Sequence, residues 1–427
     1  MRLCEFEDSR VSGLEPLSLT RPVFDLLCGT TTLYEKHRRA FRPSSMAALV
    51  RPQLSRVTSA DHPHLTVNVS DWLLTGAVTL VNSRWLPPRK FVPPANKEMS
   101  CLAMIGDEIA HAVLQPRDLA DCTPHTLAEC LAEWKQTLPT RPAGGRLIAR
   151  PWDLIEFNGD ELHADFLLTP HDDLEGRPST LTLVGSSDLL RVDPTARIDP
   201  FVVADTTNGP VIIGRDAVVA SFTRLEGPCF IGPRSEVFHG NIRAGTSIGP
   251  NCRVGGEVNS SILLANSNKA HEGYLGHSYL GEWVKLGAGT HASDLRNDHA
   301  PIAVPMDGEM VSSDLQRVGV FIGDHAKSGV GCRLNAGSNI GPFAQLLPSG
   351  SLLPKLVPPF CSVEHGRLMD CPDPSALFAA AARVTARRGD EFTEYHQAMY
   401  ASLFDRTAHL RKVAVHEAEM RRVRRAG

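Results

Sequence analysis

Between residues 190 and about 352 the apolar positions recur every six residues, a spacing that suits neither an α-helix nor an alternating strand. Aliphatic side chains fall at Val192 and Ile198, then at Ile213, Val219, Leu225, Ile231 and Val237. The register slips by one and resumes at Ile242, Ile248 and Val254. It returns at Leu280 and Leu286 and runs on through Ile322, Leu334, Ile340 and Leu346, with Ser328 in a vacant slot. Glycine often follows the aliphatic residue, as at Gly214, Gly232, Gly249 and Gly341. Four positions after it the side chain is small or β-branched, as at Ala217, Cys229, Thr246, Cys252 and Cys332. A coil of triangular section satisfies all three positions. Each side is one short strand, the aliphatic points inward, and glycine is expected to hold the corner conformation that other residues resist. A single coil cannot bury its apolar side, so many must stack. A helix is excluded for residues 268–290, "NKAHEGYLGHSYLGEWVKLGAGT", which carry five glycines at about 1 kcal/mol each.

The flanks read differently. Residues 1–185 show mixed α/β patterning, with apolar strands at 47–50, 77–81 and 101–105 and a helix over 126–138. Proline-rich breaks such as 86–97 punctuate this zone. Beyond the "LLPKLVPPF" exit (352–360) the chain reads as helical. There Phe392, Tyr395, Met399, Leu403, Leu410 and Val413 are spaced to share one buried face, and the basic "RRVRRAG" reads as a solvated helix end. The expected domains are 1–185, a repeat domain over 186–352, and a helical extension over 353–427. Residues 260–273 and 291–317 leave the sixfold pattern and are expected to bulge out as polar loops.

Composition narrows the function classes. The 427 residues carry 44 basic and 48 acidic side chains, a balance that argues against a nucleic-acid partner or an anionic membrane surface. No apolar run is long enough to span a bilayer and the first residues lack a signal-peptide core, so a cytoplasmic protein is expected. Ten cysteines form no CxxC pair, and His277, His291 and His299 read as surface residues without metal-ligand spacing.

The middle zone carries a more specific pattern. Lys269-Ala270, His271, Tyr274-Leu275-Gly276 and Gly287-Ala288-Gly289-Thr290 stand in the order found in the acetyltransferase half of the GlmU family, the bacterial bifunctional enzymes that make UDP-N-acetylglucosamine. The fuller string through "SDLRND" and "IGDHAKSG" resembles a divergent branch of that family. The resemblance implies a left-handed parallel β-helix of hexapeptide repeats, behind a Rossmann-like α/β nucleotidyltransferase domain and ahead of a helical tail. It also implies a homotrimer. It makes His271 the base that accepts the amine proton during acetyl transfer from acetyl-CoA, a role that suits a group titrating near neutrality. Lys269 and Tyr274 would hold sugar or phosphate. Asp294 and Leu295 replace the family's Asn-Tyr pair, with Arg296 and Asn297 as candidate replacements for the lost contacts. Arg243 loosely resembles a family arginine.

At the front, "EPLSLTRPVFDLLCGTTTLYEK" (15–36) resembles the opening of sugar nucleotidyltransferases. By that match Arg21 binds triphosphate and Lys36 the phosphate or base region, and Asn82 and Arg84 in "LVNSRWLP" also contact nucleotide. Two departures stand out. The glycine-rich loop is reduced to Gly13, and Arg84 occupies the place of a metal-binding aspartate, although nucleotidyl transfer usually uses Mg²⁺. Asp153 is a candidate metal ligand, with helix capping the preferred alternative. The implied activity joins acetyl transfer to glucosamine 1-phosphate with uridylyl transfer from UTP. The alternatives are a nucleotidyltransferase for another sugar 1-phosphate whose β-helix only trimerises or senses ligand, and a non-catalytic scaffold.

Overall fold

The computed structural model describes residues 1–93, 98–168 and 180–426, the side chains of 421 and 423–426 excepted. The proline-rich break over 86–97 and the basic terminus therefore lie partly outside the described residues. From Leu181 to Glu364 the chain winds as a left-handed parallel β-helix of triangular section, closed by the antiparallel strand Arg367–Met369. Val211 pairs with Cys229 and Cys229 with Thr246, so these coils take 18 and 17 residues.

Three faces result. The first stacks Val202–Asp205, Arg224–Glu226, Tyr274–Gly276 and His291–Ala292. The second stacks Val211–Ile213, Cys229–Ile231, Ile262–Leu263, Tyr279–Leu280 and Val320–Ile322. The third includes Val218–Val219, Asn268–Lys269 and Lys327–Ser328. Glu236–Ile242 and Arg253–Asn259 run round the corner from the third face to the first.

The sixfold aliphatics fill the prism. Ile213, Val219, Leu225, Ile231, Ile248, Val254, Leu280 and Ile340 are all buried, and Cys229, Cys252 and Cys332 pack as compact fillers among them.

The glycines act differently from expectation. Gly232, Gly249 and Gly341 do not take the left-handed backbone; that falls to residues two places later, among them Arg234, Asn251 and Phe343. Glycine is needed because the next coil passes too close. A Cβ on Gly249 would meet the Leu264 carbonyl oxygen at 1.6 Å, and one on Gly341 would meet the Pro359 nitrogen at 2.2 Å. The steric demand lies between coils, not within a turn.

Residues 260–273 are also not a bulge. They supply Ile262–Leu263 to the second face and Asn268–Lys269 to the third. Of the break at 291–317, His291–Ala292 stays on the first face, and an insertion beyond it carries the hairpin of Ala303–Met306 and Glu309–Ser312. The coils also pass residue 352, continuing through Leu356–Val357 and Ser362–Glu364.

The front domain is a seven-stranded sheet. Arg2–Phe6 lies between the parallel strands Ser45–Leu49 and Val78–Asn82, and Glu108–Leu114 runs antiparallel beyond Val78–Asn82. Two helices flank its junction with the prism. Leu33–Phe41 starts at a reciprocal capping box between Thr32 and Glu35. Pro151–Leu168 is the longer one, and the expected helix near 126–138 spans Leu127–Thr137.

In the tail, the helices Glu394–Arg406 and Ala408–Ala426 break at Thr407. Met399 and Leu403 are buried as expected, while Leu410 and Val413, beyond the break, are exposed, and so is Tyr395 in the first turn of Glu394–Arg406. Tyr400 is buried instead. It packs edge-on against Phe343 and His325, part of a corner column in which Trp283, His325, Phe343 and Phe360 stack from coil to coil. All four aromatics hold left-handed backbone at φ near 60°, a conformation costly for bulky residues. The covering helices offset that cost.

Candidate functional site

Two regions collect chemistry, one on the first face of the prism and one at the open end of the front sheet.

On the first face, Tyr274 lies over Gly276. A Cβ there would meet the tyrosine hydroxyl at 2.3 Å, so this glycine is what lets the ring lie flat. The hydroxyl donates to Asp294 Oδ2 at 2.9 Å. His277 Nδ1 lies 2.6 Å from the same oxygen and Arg317 Nη1 at 3.3 Å. Burial by itself would raise the Asp294 carboxyl. The bonds from His277 and Tyr274, with the Arg317 charge, outweigh it and hold the group below the usual carboxylate range. Burial and the neighbouring Asp294 push the Tyr274 phenol up to about 12. Sequence reasoning missed His277 and Arg317. The signal available was the carboxylate at 294 itself, since a buried anion needs cationic partners.

His271 stands exposed at the corner where the third face turns into the first, three residues from Tyr274. Lys269 is not at the surface beside it. Its ammonium is buried, donating to the carbonyls of Gly255 at 2.7 Å and His271 at 2.8 Å, and burial lowers it to about 8. In this structure Lys269 is a strut under the histidine corner. Arg243 sits on the same face with Glu226 and Glu257 within 3.5 Å, while Arg296 pairs with Asp298 and Asn297 is exposed on the insertion.

The front residues divide. Arg21 and Lys36 do not reach the open end of the sheet. Arg21 Nη1 donates to Glu282 at 2.9 Å and Nη2 pairs with Asp324, both on the prism, and Thr20 donates to Asp324 at 2.7 Å. Lys36 is buried between Asp165 at 2.7 Å and Glu161 at 2.8 Å. In this structure both cations serve the docking of the front domain. Tyr279 and Ser247 complete that junction by bonding the backbone at Leu27 and Gly29.

Asn82 and Arg84 do come together, outside the carboxyl ends of Arg2–Phe6 and Val78–Asn82. That is where open α/β sheets hold ligands. The cleft there encloses about 670 Å³ and is lined by Asp8, Arg10, Arg51, Glu108 and Lys135, with Arg406 contributed by the tail. Arg84 lies behind this lining, fully buried, and bonds Asp8, Glu108 and the Ile148 carbonyl. It anchors the cleft from inside and does not present its guanidinium at the surface.

A divalent metal does not fit this donor set. The three carboxylates at the strand ends are already bonded: Glu7 by Arg51, Asp8 by Asn82 and Arg84, Glu108 by Arg10 and Arg84. Among the described residues no cluster of three His, Cys, Asp or Glu could hold a metal ion. Asp153 accepts from the backbone N–H groups of Ala149 and Arg150 and caps Pro151–Leu168. Its candidacy as a metal ligand is corrected accordingly.

Comparison with known proteins follows this division. Residues 3–172 match the family model described as sugar nucleotidyl transferase. A bifunctional sugar-1-phosphate nucleotidylyltransferase/acetyltransferase of Sulfurisphaera tokodaii is 30% identical over 209 residues, 47% of this chain and 44% of that protein. A bifunctional protein GlmU of Heliobacterium modesticaldum is 27% identical over 245 residues, 56% of this chain and 50% of that one. The chain thus spans about half the length of these relatives. It is similar to GlmU-like bifunctional proteins, with a nucleotidyltransferase-type front domain joined to a hexapeptide β-helix.

Proposed function

We propose that this chain is a bifunctional transferase of sugar-nucleotide synthesis. Its β-helix carries an acetyl group from acetyl-CoA to the amine of glucosamine 1-phosphate, and its front domain handles the nucleotide, UTP, that is joined to the N-acetylated product. The observation that carries this reading is the first-face cluster: an exposed His271 on a braced corner, three residues from a tyrosine held against a buried carboxylate. In the acyl step the amine nitrogen attacks the thioester carbonyl carbon and the C–S bond breaks. His271 takes the proton that leaves nitrogen and returns it to the departing thiolate. Asp294, held ionised, offers an anion to the amine before it loses its first proton. Tyr274 fixes that carboxylate in place.

The names of the relatives support the pairing of the two activities. A homotrimer suits the exposed first face, since neighbouring copies would close a groove over it. The cytoplasm suits the ten free cysteines. Among the described residues no helix is long and apolar enough to cross a membrane.

The test is coenzyme A release with glucosamine 1-phosphate as acceptor. We expect turnover in the wild type and a loss of at least a hundredfold in His271→Ala, with the melting temperature unchanged. Equal turnover by the variant would remove His271 from the mechanism, and no release with any amino sugar phosphate would remove the acyl-transfer reading.

A further inference from the structure

The front cleft has the position of a nucleotide site without the ligands of a metal site. Glu7 accepts from Arg51 Nε at 3.0 Å and Nη2 at 3.1 Å. Asp8 accepts from Asn82 Nδ2 at 2.9 Å, Arg84 Nε at 2.9 Å and Arg84 Nη2 at 2.6 Å. Glu108 accepts from Arg10 Nη1 at 2.9 Å and from the same Nη2 of Arg84. Mg²⁺ requires oxygen ligands at near-octahedral geometry, and here the oxygens are already taken by guanidinium groups whose charge is permanent.

Arg84 is the pivot. One of its nitrogens lies between the Asp8 and Glu108 carboxylates, the position in which a cation would bridge them, and it is fully buried with its other end tied to Ile148. Two cations on the cleft's surface are then surplus, and a third, Arg10, is shared with Glu108 and Asp107. Arg10 is half exposed, and among the described residues no ion pair holds Lys135 or Arg406. Glu15 also lines this cleft, and burial raises its carboxyl.

We infer that the front cleft binds a nucleoside polyphosphate or nucleotide sugar through guanidinium and ammonium groups alone, with Arg84 filling the place of the divalent cation. The inference rests on the reading of the front domain as a nucleotide site and is independent of the acyl chemistry. Phosphate oxygens meet the half-exposed Arg10 at the sheet end, where its planar fork can match them. Lys135 and Arg406 close from the opposite rim. The tail helix thereby becomes part of the nucleotide site.

Calorimetric titration of the full chain with UTP and with UDP-N-acetylglucosamine, in excess EDTA and again in millimolar Mg²⁺, tests this. Affinities within fivefold of each other in the two media, weakened at least tenfold by Arg10→Ala, are the expected result. An affinity more than fivefold higher with Mg²⁺, or no binding in either medium, would overturn the inference while leaving coenzyme A release untouched. Arg84→Met supplies a second reading if it folds. It leaves Asp8 and Glu108 facing each other without a cation, and should gain a rise in melting temperature on adding Mg²⁺ or Mn²⁺ that the wild type lacks. A folded variant indifferent to both ions would show that the guanidinium does not occupy a cation position.

Discussion

Arg21 separates two accounts of the front motif. By resemblance it binds triphosphate; in the structure it bridges Glu282 and Asp324 across the junction between domains. Arg21→Ala would leave Asp324, whose side chain is 3% exposed, without its cation. Breaking a buried pair from one side costs about 3–5 kcal/mol. Asp324 keeps the Thr20 hydroxyl at 2.7 Å and the Glu282 N–H at 2.8 Å, and Glu282 is partly solvated, so the low end, about 3 kcal/mol, applies. At roughly 2–4 °C per kcal/mol for domains of this size, the melting temperature should fall by about 6–12 °C. A double-mutant cycle with Asp324→Ala should return a coupling above about 1 kcal/mol. UTP affinity should change less than twofold. An unchanged melting temperature together with a tenfold loss of UTP affinity would refute the docking account and restore Arg21 to the phosphate.

Three further outcomes follow from the same geometry. Lys269→Met should lower kcat for acetyl transfer about tenfold with KM for the sugar phosphate within twofold, since the ammonium braces the His271 carbonyl; a raised KM at constant kcat would return it to substrate binding. Asp294 has its folded pKa below the unfolded value of about 3.9, so its contribution is present above pH 4 and is lost as pH falls through the folded value. The stability gap between wild type and Asp294→Asn, from melting curves, should therefore be widest near neutrality and close in acid, and a gap that widens in acid would contradict the assignment. Gly249→Ala, with its Cβ driven into the Leu264 carbonyl, should cost at least about 3 kcal/mol in urea unfolding or prevent folding. Gly331→Ala, at φ 76° with open space around it, should cost about 1 kcal/mol, and equal costs would contradict the inter-coil explanation.

The prism was legible because its constraint is periodic. Each aliphatic at the sixth position meets the same three-sided interior, so one coil predicts the next. The reason for the glycines was not legible. A sequence shows that a side chain is missing but not whether a torsion or a passing backbone forbids it, and at Gly249 the obstacle is Leu264, fifteen residues on. Residues 260–273 escaped for a related reason. The coil is shorter there, so Leu263 pairs with Ile248 and Lys269 with Val254, off the sixfold count, while the ladder is carried by backbone N–H and C=O groups, as in the bond from Ser247 N–H to Ser261. Helix Pro151–Leu168 also passed unmarked. It packs on both the front domain and the second face, with Asn158 bonding the Gly245 carbonyl, so its buried positions do not form one clean stripe.

The site residues divide along the same line. Tyr274 and Asp294 belong to one coil and its neighbour, so the repeat itself brings them together, with His271 three residues before Tyr274 in the chain. Arg21 and Lys36 were read through a motif whose phosphate-binding role assumes that the loop faces an open cleft. Here the loop faces Glu282 and Asp324 of the prism, and the long helix supplies Glu161 and Asp165 to Lys36. Cationic motif residues are indifferent to whether the anion is a phosphate or a carboxylate; which one they meet is decided by the packing of distant segments. In this chain the third segment is the tail, whose Tyr400 seals the aromatic corner beside Asp324 while Arg406 lines the front cleft. The helix Glu394–Arg406 thus touches both the junction that fixes the front domain and the cleft proposed to hold nucleotide. Shortening the chain before it should expose Phe343 and His325 and remove a cation from the cleft together.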